Sequence, residues 1–518
     1  MKRINNNKIT FKEYNMNQQM LLPPSLEELV PENHIVRVVN KAIDKMSIDP
    51  LLSRYKGGGA SNFHPKMMLK VLVYAYTQKT YSSRQIAKAL RENINFMWLS
   101  GNNKPDFRTL NRFRSSTMKG IIDEIFSSVL ELLIEEGHVK LENYFLDGTK
   151  IEANANKYSF VWKKSTDKNQ AKLQQKIKEL LTEIEKTNAE ENEQYGDQDL
   201  EELGKPIDSA KLEQKVRELD ERLSKEPKNK QLKKSLKKLK EDYLPRSQKY
   251  EEQKQKFNGR NSYSKTDEDA TFMRMKEDHM KNGQLKPGYN IQIGTENQFV
   301  LGYSIHQKPT DTTCLIPHLN HTQEILGKLP QNIVADSGYG SEENYEYLTA
   351  KQHGIYVKYN NFHIEGMRKF KKDSFRVESL AYDQDNDEFV CPAGKHLKYL
   401  KTKNYTTENG YRTERRIYQC KDCSGCEFRD QCTKSKGNRQ IQVSFRLNQL
   451  KDTAKQNLIS EQGKKLRSQR AIEVESVFGR IKSNWSFRRF MLRGIEKVEI
   501  EWGLLCIAHN LAKVVAVS

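Results

Sequence analysis

Two apolar runs in this 518-residue chain end in the same way. Tyr144-Phe145-Leu146 closes on Asp147-Gly148, and Ile333-Val334-Ala335 closes on Asp336-Ser337-Gly338. A short apolar run stopped by a carboxylate and a glycine-containing turn reads as a buried strand with an acid at its exit. Further strand-like runs cover 289–293, 299–305 and 355–359, and Gly294 to Asn297 look like a hairpin turn between the first two. Helices are expected near 312–326, 341–352, 466–482 and 498–516. Intervening segments aside, the order is β-β-β-α-β-α-β-α, which implies an α/β domain with helices on a mixed sheet. Ligands of open α/β sheets bind at the carboxyl ends of strands, where both aspartates fall.

Lys and Arg total 88 against 68 Asp and Glu, a net charge of +20 that points to a polyanionic partner. No run of about 18 apolar residues is present, so no membrane-spanning helix is expected. The start, Met1-Lys2-Arg3, is basic but lacks the apolar stretch of a signal peptide. The surplus charge does not come from the most charged segment. Residues 163–257 hold 24 Lys and Arg against 21 Asp and Glu. There Leu173, Ile177, Leu180 and Ile184 step by one helical turn, as do Leu212, Val216, Leu219 and Leu223, and Leu232, Leu236, Leu239 and Tyr243. Pro206, Pro227 and Pro245 punctuate these stripes, so a helical hairpin or small bundle is expected, inserted in another domain.

The first 130 residues read as short helices. Asn33 is placed to cap one, Pro65 to open a second and Ser82 or Ser83 to cap a third. Arg84, Lys88, Arg91, Arg108, Arg112 and Arg114 are expected on its surface, which fits a helix-turn-helix-like DNA reader.

Two aspartates at strand ends need a third carboxylate to hold two hard cations. The helix through Arg470-Ala471-Ile472-Glu473-Val474-Glu475 offers it. Glu475 and Lys482 are seven apart, two helical turns, so both face one site, where a lysine can hold a DNA phosphate. Glu473 is the rival, but it lies roughly 200° around the helix from Glu475.

Five of the seven cysteines fall together: Cys391, Cys420, Cys423, Cys426 and Cys432. Their Cys-x2-Cys spacing suits structural zinc, with an iron–sulfur cluster or free thiols as alternatives. Cys314 and Cys506 read as buried small residues. Basic residues within 395–403 and 412–416 flank the cluster and are placed to grip DNA.

The stretches Phe145 to Asn154, Ala335 to Gly340 and Val474 to Lys482 resemble the DDE transposases of bacterial insertion sequences. Phe487 to Gly494 and Pro105 to Arg114 share the resemblance, which covers nearly the whole chain except the charged helical segment. It implies a ribonuclease-H-like core, with Asp147, Asp336 and Glu475 holding two Mg²⁺ or Mn²⁺ ions and Lys482 steadying a phosphate. It implies double-stranded DNA as partner (element ends and target), with Arg488 and Arg489 among the contacts. A homo-oligomer on paired ends and a bacterial cytoplasmic, nucleoid-associated location also follow. Much of that family carries Tyr and Arg seven and four residues before the glutamate. Ser468 and Ala471 stand there in this chain, and Arg470 is one residue away. The expected domains are a helical DNA-binding domain (1–130), a core in pieces (140–162, 258–375 and 441–518), the charged helices (163–257) and a cysteine-rich insert (380–440). The alternatives are an inactive DNA-binding descendant of a transposase, and a ribonuclease-H-like nuclease that cuts without joining.

Overall fold

The computed structural model describes residues 24–55, 62–191, 207–225, 227–275, 284–407 and 409–517. Lys2, Arg3 and Pro206 lie outside the described residues. The strands are β1 (Asn143–Glu152), β2 (Phe160–Trp162), β3 (Ser262–Ser264), β4 (Thr271–Arg274), β5 (Leu285–Glu296), β6 (Phe299–His306), β7 (Asn332–Ala335), β8 (Gly354–Val357), β9 (Ala381–Asp383), β10 (Glu388–Val390), β11 (His396–Thr406), β12 (Arg412–Cys420) and β13 (Gln440–Val443).

A mixed sheet forms the centre, ordered β5-β1-β7-β8, with both β4 and β6 paired to β5. The β1–β5, β5–β6 and β4–β5 ladders are antiparallel, whereas β1–β7 and β7–β8 are parallel. Helix Leu315–Leu326 leads from β6 to β7, and helix Glu342–Ala350 connects the parallel strands β7 and β8. This is the α/β order expected from the sequence, with three corrections.

First, Asp147 does not end its strand. β1 runs on to Glu152 because β5 pairs with it from Phe145 to Glu152. Only the parallel ladder to β7 stops before the aspartate, at Phe145 opposite Val334. Second, the β5–β6 turn is Asn297-Gln298, both at positive φ (53° and 63°), rather than 294–297. Gly294 serves packing instead: a Cβ there would fall 1.7 Å from Cζ of the buried Tyr144 ring. Third, His34 rather than Asn33 caps the helix Ile35–Lys45, its ring nitrogen accepting the Val36 N–H at 3.2 Å.

The N-terminal region is helical, as expected. Its helices include Pro65–Thr77, Ser83–Glu92, Phe107–Arg112 and Ile122–Glu135. They share one apolar core with the central sheet and the last helix, Ile495–Val517. That helix is long and apolar enough to cross a membrane (mean hydropathy 1.4), but 72% of its apolar window is buried in the protein. It packs between Pro65–Thr77 and β6 and carries buried polar groups with partners, which marks a core helix. The Asn510 amide, for example, bonds both the N–H and the carbonyl of Val300 at 2.8 Å.

The described residues of 163–257 are largely helical, with helices Lys163–Glu191, Ser209–Lys225, Lys230–Lys238 and Leu244–Phe257. The expected stripes meet in an apolar cluster of their own, including Leu173, Ile177, Leu212, Val216, Leu236 and Tyr243. Pro245 does not end the helical run, because a π turn, Leu239–Tyr243, stands directly before its helix and shifts the hydrogen-bond pattern around the missing N–H.

One pH effect arises from this packing. Glu499 is half-buried on the last helix, and burial, then Asp123, Glu496 and Asp269, push its carboxyl up to about 7. A raised carboxyl stabilises the fold while protonated and loses that contribution as pH rises from its unfolded value toward 7. Glu499→Gln is therefore expected to raise thermal stability above pH 7, by on the order of 1–2 kcal/mol. Below pH 4 it should change little. Melting curves of both proteins across pH 4–8 measure this.

Candidate active site

Carried two residues on, the β1–β7 register sets Asp147 beside Asp336. Asp147 is buried, and one of its oxygens accepts its neighbour's Gly148 N–H at 2.8 Å. Asp336 caps the turn Ser337–Tyr339, accepting the Gly338 N–H at 2.8 Å with one oxygen. Capping occupies one oxygen and leaves the other turned to the site.

The third acid comes from the late helix, which is irregular for a reason that matters. Helix Glu461–Arg470 passes into a π-helical turn, Ala471–Glu475, then an α turn, Ser476–Gly479, and a second π turn, Arg480–Asn484. A π turn closes after five residues rather than four. Arg470, five before Glu475, thereby takes the position that a residue four before would hold in an α-helix. Its guanidinium meets all three acids. Nη2 lies 3.1 Å from Asp147 and 3.6 Å from Asp336, and Nη1 lies 3.9 Å from Glu475. Glu473 faces elsewhere, its carboxylate accepting the Gln298 N–H at 2.6 Å. Lys482 is buried and donates to Thr149 Oγ1 at 3.1 Å, two residues from Asp147 on the same face of β1.

Several residues here escaped sequence reading. Asp311, in the loop after β6, accepts amide hydrogens from Asn290 at 2.8 Å and Gln292 at 3.0 Å. Gly148 gives this loop room: a Cβ there would stand 2.7 Å from the Asp311 carboxylate. Tyr339 is buried beside the acids and donates to Gln292. Burial, then Asp311, Asp147 and Asp336, raise its phenol above the usual range. Lys358 follows β8, and burial, then Arg470 and Arg467, lower its ammonium, while Asp336 and Glu475 oppose the shift. Asp311 directly follows no apolar run, and Lys358 matches no motif, so only the fold brings them in.

Three carboxylates supply all-oxygen ligands, the chemistry a hard divalent cation prefers, and a cation already stands among them. The donor set fits such an ion. The acids have not closed on a common point: Glu475 is 61% exposed, and Arg470 lies between them. Among the described residues, no group of three or more His, Cys, Asp or Glu is drawn together tightly enough to hold a metal.

The same holds for the cysteines, against the expectation of zinc. All five of Cys391, Cys420, Cys423, Cys426 and Cys432 line one cavity of about 20 Å³, but they do not converge as ligands. Cys420 and Cys423 are buried and otherwise engaged. The Cys420 thiol donates to the Asp422 carbonyl, and Cys423 accepts the Arg439 N–H. Burial, then the hydrogen bond to Cys423, push the Cys420 thiol up to about 11. Cys420 ends β12 of an antiparallel sheet ordered β13-β12-β11-β10-β9, and the other four cysteines lie in the loops and the short helix Arg429–Cys432 beside it. Its β11–β12 hairpin is largely exposed, with Lys403 and Arg415 over Tyr405 and Arg416 over Tyr399. Cys314 and Cys506 are buried, as expected.

Of the basic residues assigned to DNA, Arg84, Lys88, Arg91, Arg108 and Arg112 are exposed on the N-terminal helices, and Arg488 and Arg489 are exposed beyond the glutamate helix. Arg489 is anchored by the Ala153 and Ala155 carbonyls. Arg114 is a correction. It is 2% exposed and donates to Tyr76 Oη at 3.0 Å and the Tyr81 carbonyl at 2.7 Å, so it is a core residue out of reach of DNA.

Comparison with known families adds two matches. Residues 390–515 match a family described as the transposase DDE domain, and residues 24–116 match a transposase domain, DUF772. Glu475 and Lys482 lie in the first stretch, whereas Asp147 and Asp336 fall outside both. No curated protein matches the chain.

Proposed function

We propose, from the premise that the chain belongs to the DDE transposases of insertion sequences, that Asp147, Asp336 and Glu475 form the centre at which it cuts and joins DNA. The observation that carries this reading is the convergence of two in-register aspartates and one helical glutamate on a single guanidinium. The sheet order β6-β5-β1-β7-β8, three antiparallel strands followed by two parallel ones, supports a ribonuclease-H-like core. The separate apolar clusters support the charged helices and the cysteine-bearing sheet as additions to that core.

The three carboxylates would hold two Mg²⁺ or Mn²⁺ ions, which when bound activate a water or a 3′-hydroxyl and stabilise the leaving oxygen. The protein's own part is positional. β1 and the capped turn after β7 fix the two aspartates, so little reorganisation is needed as charge develops. Lys482, held by Thr149, puts a positive charge beside Asp147 for the scissile phosphate. Arg84, Lys88, Arg91, Arg108 and Arg112 offer a basic face for the element ends. Arg488, Arg489 and the β11–β12 hairpin extend it on the side of the glutamate helix. Action on two ends implies a homo-oligomer on DNA, in the cytoplasm beside the nucleoid.

The test uses linear DNA carrying the inverted repeats that flank the gene, the full-length protein and Mg²⁺ or Mn²⁺. Nicked ends joined to target DNA are the expected product. Cut ends without joining would mark a hydrolytic nuclease, and bound but uncut DNA an inactive descendant.

A further inference from the structure

We propose that Arg470 is a built-in counter-cation of the acidic centre: it holds the three carboxylates in place without metal and must withdraw from them before divalent cations bind. This inference rests on the triad reading above. Three like charges gathered on two strands and a helix repel one another unless a positive charge stands among them. Arg470 is that charge, reaching all three acids with a side chain only 11% exposed.

What distinguishes this arginine from a structural ion pair is the number of acids it serves: its guanidinium reaches carboxylates from β1, the turn after β7 and the late helix, and the π turn Ala471–Glu475 is what brings a residue five before the glutamate onto that site. The position also competes. A guanidinium nitrogen 3.1 Å from Asp147 and 3.6 Å from Asp336 stands between the two carboxylates, in the space a divalent ion bridging them would take, and its charge repels such an ion. The arginine therefore competes with metal. Metal affinity without DNA is set low, and the acids stay ordered.

The test is calorimetric titration of the DNA-free, full-length protein with MnCl₂. Arg470→Gln is expected to bind Mn²⁺ about tenfold tighter than the wild type, because one positive charge beside the ligands is gone. Arg470→Lys, which keeps the charge, should stay close to the wild type. Asp147→Asn should lose the binding in either background. Were Asp147→Asn to bind like the wild type, the triad reading itself would fail. Were it to lose binding while Arg470→Gln bound no tighter than the wild type, only the role of Arg470 would fall. A wild-type measurement covers the case of a misfolded variant. Labelling with an arginine-selective dicarbonyl, read by mass spectrometry, should increase at Arg470 when Mn²⁺ is added. Unchanged or reduced labelling would overturn the proposal.

Discussion

Asp336→Asn and Asp147→Asn are each expected to reduce metal-dependent cleavage of end DNA by roughly a thousandfold or more, with the protein still folded and still binding DNA. Asparagine has the size of aspartate and keeps an oxygen for the Gly338 or Gly148 N–H, so the turn and the strand survive. What disappears is the negative charge, which no neighbour replaces. Lys482, Lys358 and Arg470 would then face two carboxylates instead of three. Glu475→Gln should behave alike. Glu473→Gln is the control: its carboxylate bonds the Gln298 N–H away from the centre, so its cleavage rate should remain near that of the wild type. Single-turnover cleavage rates, with circular dichroism to verify folding, decide between them.

Arg114→Leu is expected to destabilise the protein by about 3–5 kcal/mol and to leave no direct mark on DNA recognition. The guanidinium donates to Tyr76 Oη, the Tyr81 carbonyl and Ser83 Oγ. It is also the positive charge that lowers the carboxyl of Glu501, which burial alone drives up. Glu501 in turn accepts the Met491 and Leu492 N–H groups. Arg114 thus joins the N-terminal helices to the last helix, and leucine leaves a fully buried carboxylate without its compensating cation. Exposed Arg112 gives the contrast. Arg112→Ala should move stability by less than about 0.5 kcal/mol, yet weaken DNA binding and reduce its salt slope by about one. Denaturant titrations and salt-dependent binding isotherms separate the two.

These cases show what was legible in the sequence. Apolar runs announced β1 and β7, because burial on both faces leaves no polar alternation to confuse. The placing of the two aspartates side by side was legible for the same reason, each following such a run. The end of β1 was not, since pairing with β5 carries the strand through Asp147 and no local signal encodes a partner more than a hundred residues away. Gly294 mimicked a turn residue but serves the Tyr144 ring. Arg470 looked one residue out of place because α-helical spacing was assumed, and a π turn changes the count. Arg114 looked like its basic neighbours, and only tertiary packing buries it. The cysteine spacing suited zinc, but spacing does not ensure that thiols converge.

The central claim is that Asp147, Asp336 and Glu475 form one metal-dependent centre. Crystals of the full-length protein soaked in MnCl₂ and measured at the manganese absorption edge test it most directly. An anomalous peak about 2.0–2.3 Å from carboxylate oxygens of both Asp147 and Asp336, with the Arg470 guanidinium moved away, is the expected result. Manganese bound elsewhere while Arg470 keeps its three carboxylates would contradict the account.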